Sequence, residues 1–160
     1  MFQKTTLSIL CVIMLITFNQ CSTLKEPVVS PLVSTIILQN DELNGAGKEG
    51  FSQSVVRITS ASHWNEISEK LSIVNPFERN FDIHRIDFET TNLYVYTDKI
   101  RPTAGYELSI SNSKKKEGSY NFNIQIKRPH GSFPDVITQP LLIFTIVKTT
   151  EIQGFSFLEL

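Results

Sequence analysis

The chain has 160 residues, 41% of them hydrophobic, and a formal net charge of −1. These values provide a core for one domain with accessory segments and exclude the basic footprint of a nucleic-acid binder. Eleven Phe and four Tyr favour strands, and the only two cysteines, Cys11 and Cys21, lie too near the N-terminus to staple the body of the chain.

The N-terminus reads as an export signal. Lys4 supplies a positive start and residues 7–18 an apolar run, shorter than the ~20 residues of a spanning helix. No A-x-A-like site follows. Instead Cys21 comes directly after Phe18-Asn19-Gln20, which resembles a bacterial lipobox, whose cysteine is acylated and becomes the mature first residue. The lipobox pattern has an aliphatic residue three before the cysteine and a small one just before it; Phe18 and Gln20 depart from it. The alternative is a plain signal peptide or an uncleaved anchor with Cys21 incidental. On the lipobox reading, residues 1–20 are the signal, Cys21 is the lipid-attachment site, and residues 21–50 form a tether and loop. Pro27 and Pro31 keep the tether extended.

Residues 33–38 read as a short first strand. The three glycines of residues 40–50 mark a loop, and residues 53–59 read as a second strand. A helix follows, capped by Ser60 or Ser62, with Trp64, Ile67 and Leu71 on one apolar stripe, and it stops by Asn75-Pro76. Trp64 on that stripe is expected in the core rather than on a ligand platform. Residues 81–88 and 93–96 read as strands. In the second, Leu93 and Val95 oppose Tyr94 and Tyr96, as in a strand covered on both faces.

Residues 102–105 form a tight turn: Pro102 presets φ and Gly105 permits a positive one. A β-hairpin follows over residues 106–127. Tyr106, Leu108 and Ile110 alternate on one arm. On the other, Tyr120, Phe122, Ile124 and Ile126 share one face, and Asn121, Asn123, Gln125 and Lys127 the other. Alternation sets the register, since a slip by one residue would expose every apolar side chain. The lysines at the tip, residues 114–116, keep the turn soluble and unpaired. Residues 128–134 are a loop. Residues 141–147, apolar on both faces, form the last, central strand, leaving residues 151–160 as a tail. The fold class is therefore α+β, a mainly antiparallel sheet with one short helix packed on it.

Chemistry-bearing patterns are sparse. His63, His84 and His130 lack metal-ligand spacing, Gly131-Ser132 beside His130 lacks a nucleophile elbow, and no phosphate loop occurs. Asp82, Asp87 and Glu89 lie close in sequence, but acids beside strand ends are usually solvated. The expectation is a protein that is not an enzyme, with no metal and no cofactor.

Several short motifs occur in a suggestive order: the Trp64 helix, Ile86-Asp87-Phe88, residues 102–110 beginning Pro102-Thr103-Ala104-Gly105-Tyr106, Arg128-Pro129, and Thr138-Gln139-Pro140. Together they resemble the C-terminal domain of the PrcB family, lipoproteins named for a subunit of a spirochaete surface protease complex. The resemblance spans residues 55–148, within a domain assigned to residues 51–150. Ala104 stands where the family has a first Gly, and Leu141 where an aromatic is common. The resemblance implies a non-enzymatic α+β accessory domain, lipid-anchored in the bacterial envelope on the outer membrane and facing periplasm or surface. It further implies a partner such as an envelope protease. Pro102, Thr103, Ala104, Gly105, Tyr106, Thr138, Gln139 and Pro140 are its candidate partner-binding residues. Two other readings compete: a carbohydrate-binding domain using exposed aromatics, and a hydrolase with a dispersed site.

Overall fold

The computed structural model describes residues 33–160, apart from residues 78, 80, 115–117 and 132. The export signal with Cys11 and Cys21, most of the tether, the hairpin-tip residues Lys115, Lys116 and Glu117, and Ser132 lie outside the described residues.

Alternation along the strands builds the architecture. In β3 (Thr91–Thr97) and β6 (Gln139–Val147) every second residue points to the same face. Leu93, Val95, Leu141 and Ile143 enter one buried cluster, and Tyr94, Tyr96, Leu142, Phe144 and Ile146 enter another. A sheet with two apolar faces needs a cover on each. The first cover is the helix α1 (Ala61–Leu71), whose Trp64, Ile67 and Leu71 are buried. The second is another sheet. The result is three layers: helix, a four-stranded antiparallel sheet in the order β1 (Thr35–Leu43), β6, β3, β2 (Ser54–Ile58), and a three-stranded sheet in the order β4 (Glu107–Lys114), β5 (Tyr120–Lys127), β7 (Ile152–Glu159).

The expected helix, central strand and hairpin are present. Ser60 is the cap, its Oγ accepting from the His63 amide at 3.2 Å. Trp64 is fully buried and packs against Phe81, ring centroids 5.3 Å apart. β4 (Glu107–Lys114) pairs with β5 (Tyr120–Lys127) in the register Leu108 to Ile126 and Ile110 to Ile124. Phe122, Ile124 and Ile126 are buried in the sandwich. Burying each such side chain stabilises the fold by ~1.5–3 kcal/mol.

Four segments differ from the sequence reading. β1 (Thr35–Leu43) continues through the polar Asn40, Asp41 and Glu42, which had read as loop. It is an edge strand on β6, so its outward side chains can be polar, and a bulge at Leu38 shifts its register. β2 is Ser54–Ile58, within the expected span. Residues 81–88 are not a strand: Asp82 accepts from the His84 amide at 3.0 Å and starts a 3-10 turn, Ile83–Arg85. A carboxylate that bonds the backbone two residues on diverts the chain from a ladder. Phe81, Ile83, Ile86 and Phe88 still pack into the helix-side core. The hairpin arm runs past Ile110 through Ser111 and Asn112. Finally, β6 is not the last strand. The expected tail forms β7 (Ile152–Glu159), parallel to β5. Its Phe155 reaches the rings of Tyr94, Phe122 and Phe144, and its Phe157 stacks on Tyr96.

Among the described residues no helix is long and apolar enough to cross a membrane.

Candidate functional site

The Pro102 turn is joined to the segment before β6. Arg101 and Thr138 exchange backbone hydrogen bonds, Arg101 N to Thr138 O at 2.7 Å and Thr138 N to Arg101 O at 3.0 Å. Thr103 Oγ1 donates to Pro134 O at 3.0 Å, and Thr138 Oγ1 donates to Thr103 O at 3.3 Å. The eight residues singled out in the sequence therefore do come together. Their exposure divides them. Pro102 is exposed, Thr103, Ala104, Gly105 and Tyr106 are half-buried, and Thr138, Gln139 and Pro140 are buried. Thr138 bonds the turn itself through Thr103 O, whereas Gln139 Nε2 donates to Asp98 O and Phe51 O and Pro140 O accepts from the Asp98 amide.

Gly105 has φ +89°, a conformation that glycine adopts without a Cβ penalty. Two successive amides, Gly105 N and Tyr106 N, point at Glu42 Oε1, at 2.9 and 3.2 Å. This small nest of N–H groups, of the kind that binds anions, is filled by the chain's own carboxylate. It ties the turn to β1. Phe133 lies over Gly105, where a Cβ would collide with its ring.

Beneath the turn is an ionic network that local patterns do not reveal. Arg101 Nε donates to Asp98 Oδ2 at 2.6 Å. Asp98 Oδ1 accepts from Tyr96 Oη and from Gln53 Nε2, both at 2.8 Å. Gln139 Nε2 donates to Asp98 O at 2.7 Å and Phe51 O at 2.9 Å. Arg101 Nη1 lies 3.2 Å from Glu159 Oε1, which Lys99 Nζ also reaches. The guanidinium stacks 4.6 Å from the centroid of the Tyr106 ring. The network thus links the turn to the end of β3 in one sheet and the end of β7 in the other.

Electrostatics follow from these contacts. Burial opposes the charge on Arg101, but the Asp98 carboxylate, helped by Glu159, holds its pKa above the ordinary value. Burial pushes the Tyr96 phenol well above its usual range, against the Gln53 hydrogen bond. The hydrogen bond from Lys99, then the charge of Arg101, hold Glu159 below the usual carboxylate range.

The other candidates are placed elsewhere. Asp82 caps the 3-10 turn, and Asp87 accepts from the Glu89 amide and the Thr90 hydroxyl at 2.9 and 2.8 Å. His84 and His130 are exposed and His63 is half-buried on α1.

Sequence reasoning missed the apolar side chains that the two joined segments present. Ile100, Phe133, Val136 and Ile137 are between 39% and 50% exposed. The signal was their position among turn residues, where no burial pattern claims them. Set beside known proteins, the chain matches no family model, no curated protein and no solved structure.

Proposed function

We propose that this is a non-enzymatic, lipid-anchored protein of the bacterial envelope that binds and steadies another envelope protein, of the protease-complex kind that its resemblance to the PrcB family suggests. The observation that carries this reading is the pair of joined segments around Pro102 and Thr138. They expose Ile100, Phe133, Val136 and Ile137 on backbone held by Glu42, Thr103 and the Arg101–Thr138 bridge. Apolar side chains on a rigid frame bind a partner with little ordering cost.

Site-specific photocrosslinking in the native envelope tests it. A benzophenone side chain at Ile137 is expected to trap one defined protein, and one at Glu66, exposed on α1, is expected to trap none. The same adducts from both positions, or none from Ile137, would remove this surface as the binding edge.

A further inference from the structure

Each sheet has two edge strands, and β7 is the edge that the fold leaves bare. On one side of the sandwich β1 and β4 are tied edge to edge: Asn40 Nδ2 donates to Leu108 O at 2.9 Å, and Asn112 Nδ2 donates to Val33 O at 3.3 Å. β2 has five residues and carries the exposed Arg57, and shortness and charge keep an edge from pairing. β7 has eight residues, none of them Lys, Arg or Pro, and among the described residues its strand neighbour is β5 alone.

The backbone of β7 is presented for pairing. Leu160 N donates to Ile126 O at 2.9 Å. Alternate residues of a parallel strand bond its neighbour, so beyond the bulge at Gln153 the even-numbered residues face β5, and Phe155, Phe157 and Glu159 turn their N–H and C=O groups outward. Such a row is a template for another strand. Apolar side chains flank it: Phe157 is 40% exposed and Leu158 50%. At Gly154 φ is not left-handed, and a Cβ would meet nothing within 4 Å. Neither the backbone nor packing within the chain requires this glycine, and a strand glycine of that kind marks the close approach of another backbone.

The strand that fits this edge is β7 itself. In antiparallel pairing about Ser156, Phe155 of each copy exchanges backbone hydrogen bonds with Phe157 of the other, and both rings lie on the face that packs on Tyr94 and Tyr96. On the opposite face, where Ser156 Oγ donates to Asn123 Oδ1, Leu158 of one copy fills the open space at Gly154 of the other. Glu159, the one charged residue of β7, falls opposite Gln153, so no like charges meet. Pairing about Phe155 would instead set Glu159 against Glu151. We infer that β7 is a self-association edge, through which two copies join their three-stranded sheets into one continuous sheet with a two-fold axis at Ser156. The inference does not rest on the loop surface proposed above.

Native mass spectrometry of the full chain, released from detergent micelles, reads its oligomeric state. Wild type is expected to give a dimer. Ser156→Lys sets two ammonium groups opposite each other at the axis and should weaken the dimer about 10-fold or more, with the Tm of the diluted protein unchanged. Gly154→Val, a substitution that a monomer accommodates in open space, should block Leu158 of the second copy and weaken the dimer likewise. This second variant keeps the test decisive if Ser156→Lys does not fold. A benzophenone side chain at Leu158 should crosslink to the Gly154 segment of a second copy, and one at the exposed Ser109 of β4 should not. A monomeric wild type, a dimer that neither variant weakens, or Leu158 adducts to a different protein in place of a second copy would each overturn the inference.

Discussion

Arg101 and Asp98 form a buried ion pair, Nε to Oδ2 at 2.6 Å, with Arg101 4% exposed and Asp98 0%. Both oxygens of Asp98 are engaged, by Arg101 on one side and by Tyr96 and Gln53 on the other. Removing one partner of a buried pair strands the other charge. Arg101→Leu is therefore expected to cost about 3–5 kcal/mol. The double variant Asp98→Leu/Arg101→Leu should recover part of that loss. Urea melts of the single and double variants check this, and a double variant that loses the sum of two large single effects would mean the two side chains are not coupled.

Glu159 gives the network a pH signature. Its folded pKa lies below the ordinary 4.5, first through Lys99 and then Arg101. A depressed carboxylate stabilises the fold above its unfolded pKa, and that contribution is lost as pH falls through the folded value. The Tm gap between wild type and Glu159→Gln should hold steady near neutrality and shrink as pH drops below about 4.5. A gap that does not change with pH would show that the carboxylate charge contributes nothing there.

The hairpin register makes a paired prediction. Phe122 is fully buried and its neighbour Asn123 is half-buried, accepting from Ser156 Oγ. Phe122→Asp should cost several kcal/mol, because an ionised group would enter an apolar core. Asn123→Asp keeps an acceptor for Ser156 and should cost only ~0.5 kcal/mol. Denaturant midpoints that move equally would contradict the pairing of β4 with β5.

Gly105 is constrained twice, by φ +89° and by the ring of Phe133 above it. Gly105→Ala should cost about 1–3 kcal/mol from backbone strain, with a further loss from the collision. Adding Phe133→Ala should relieve the collision and leave the strain. Thermal melts of the three variants separate the terms; if Gly105→Ala is neutral, the turn does not require its left-handed residue.

Lipid attachment at Cys21 is expected from the basic start, the short apolar run and the adjacent cysteine. Metabolic labelling with a fatty acid should mark wild type and not Cys21→Ser. More than one acyl chain gives firm anchoring, where one chain binds only marginally. Equal labelling of the two proteins would refute the anchor.

Local periodicity settles much of this fold without any tertiary contact. The stripe of Trp64, Ile67 and Leu71 forced a helix with one buried face, and the alternation in β5 set a one-sided strand. The apolar run of residues 141–147 required a strand covered on both sides. Each of these patterns is carried by residues a few positions apart, so the sequence alone determined them, together with the α+β class. Tertiary structure decided what neighbouring residues do not encode. Asn40, Asp41 and Glu42 became strand because β6 offered them a ladder. The apparent strand at residues 81–88 lost to the Asp82 carboxylate, which bonds its own backbone. β7 became a strand because β5 had a free edge and the sandwich needed the ring of Phe155. The candidate site was legible as a turn from Pro102 and Gly105. The partners that make it rigid, Glu42 and Glu159, approach from opposite ends of the chain, and only folding brings their charges within reach of the turn.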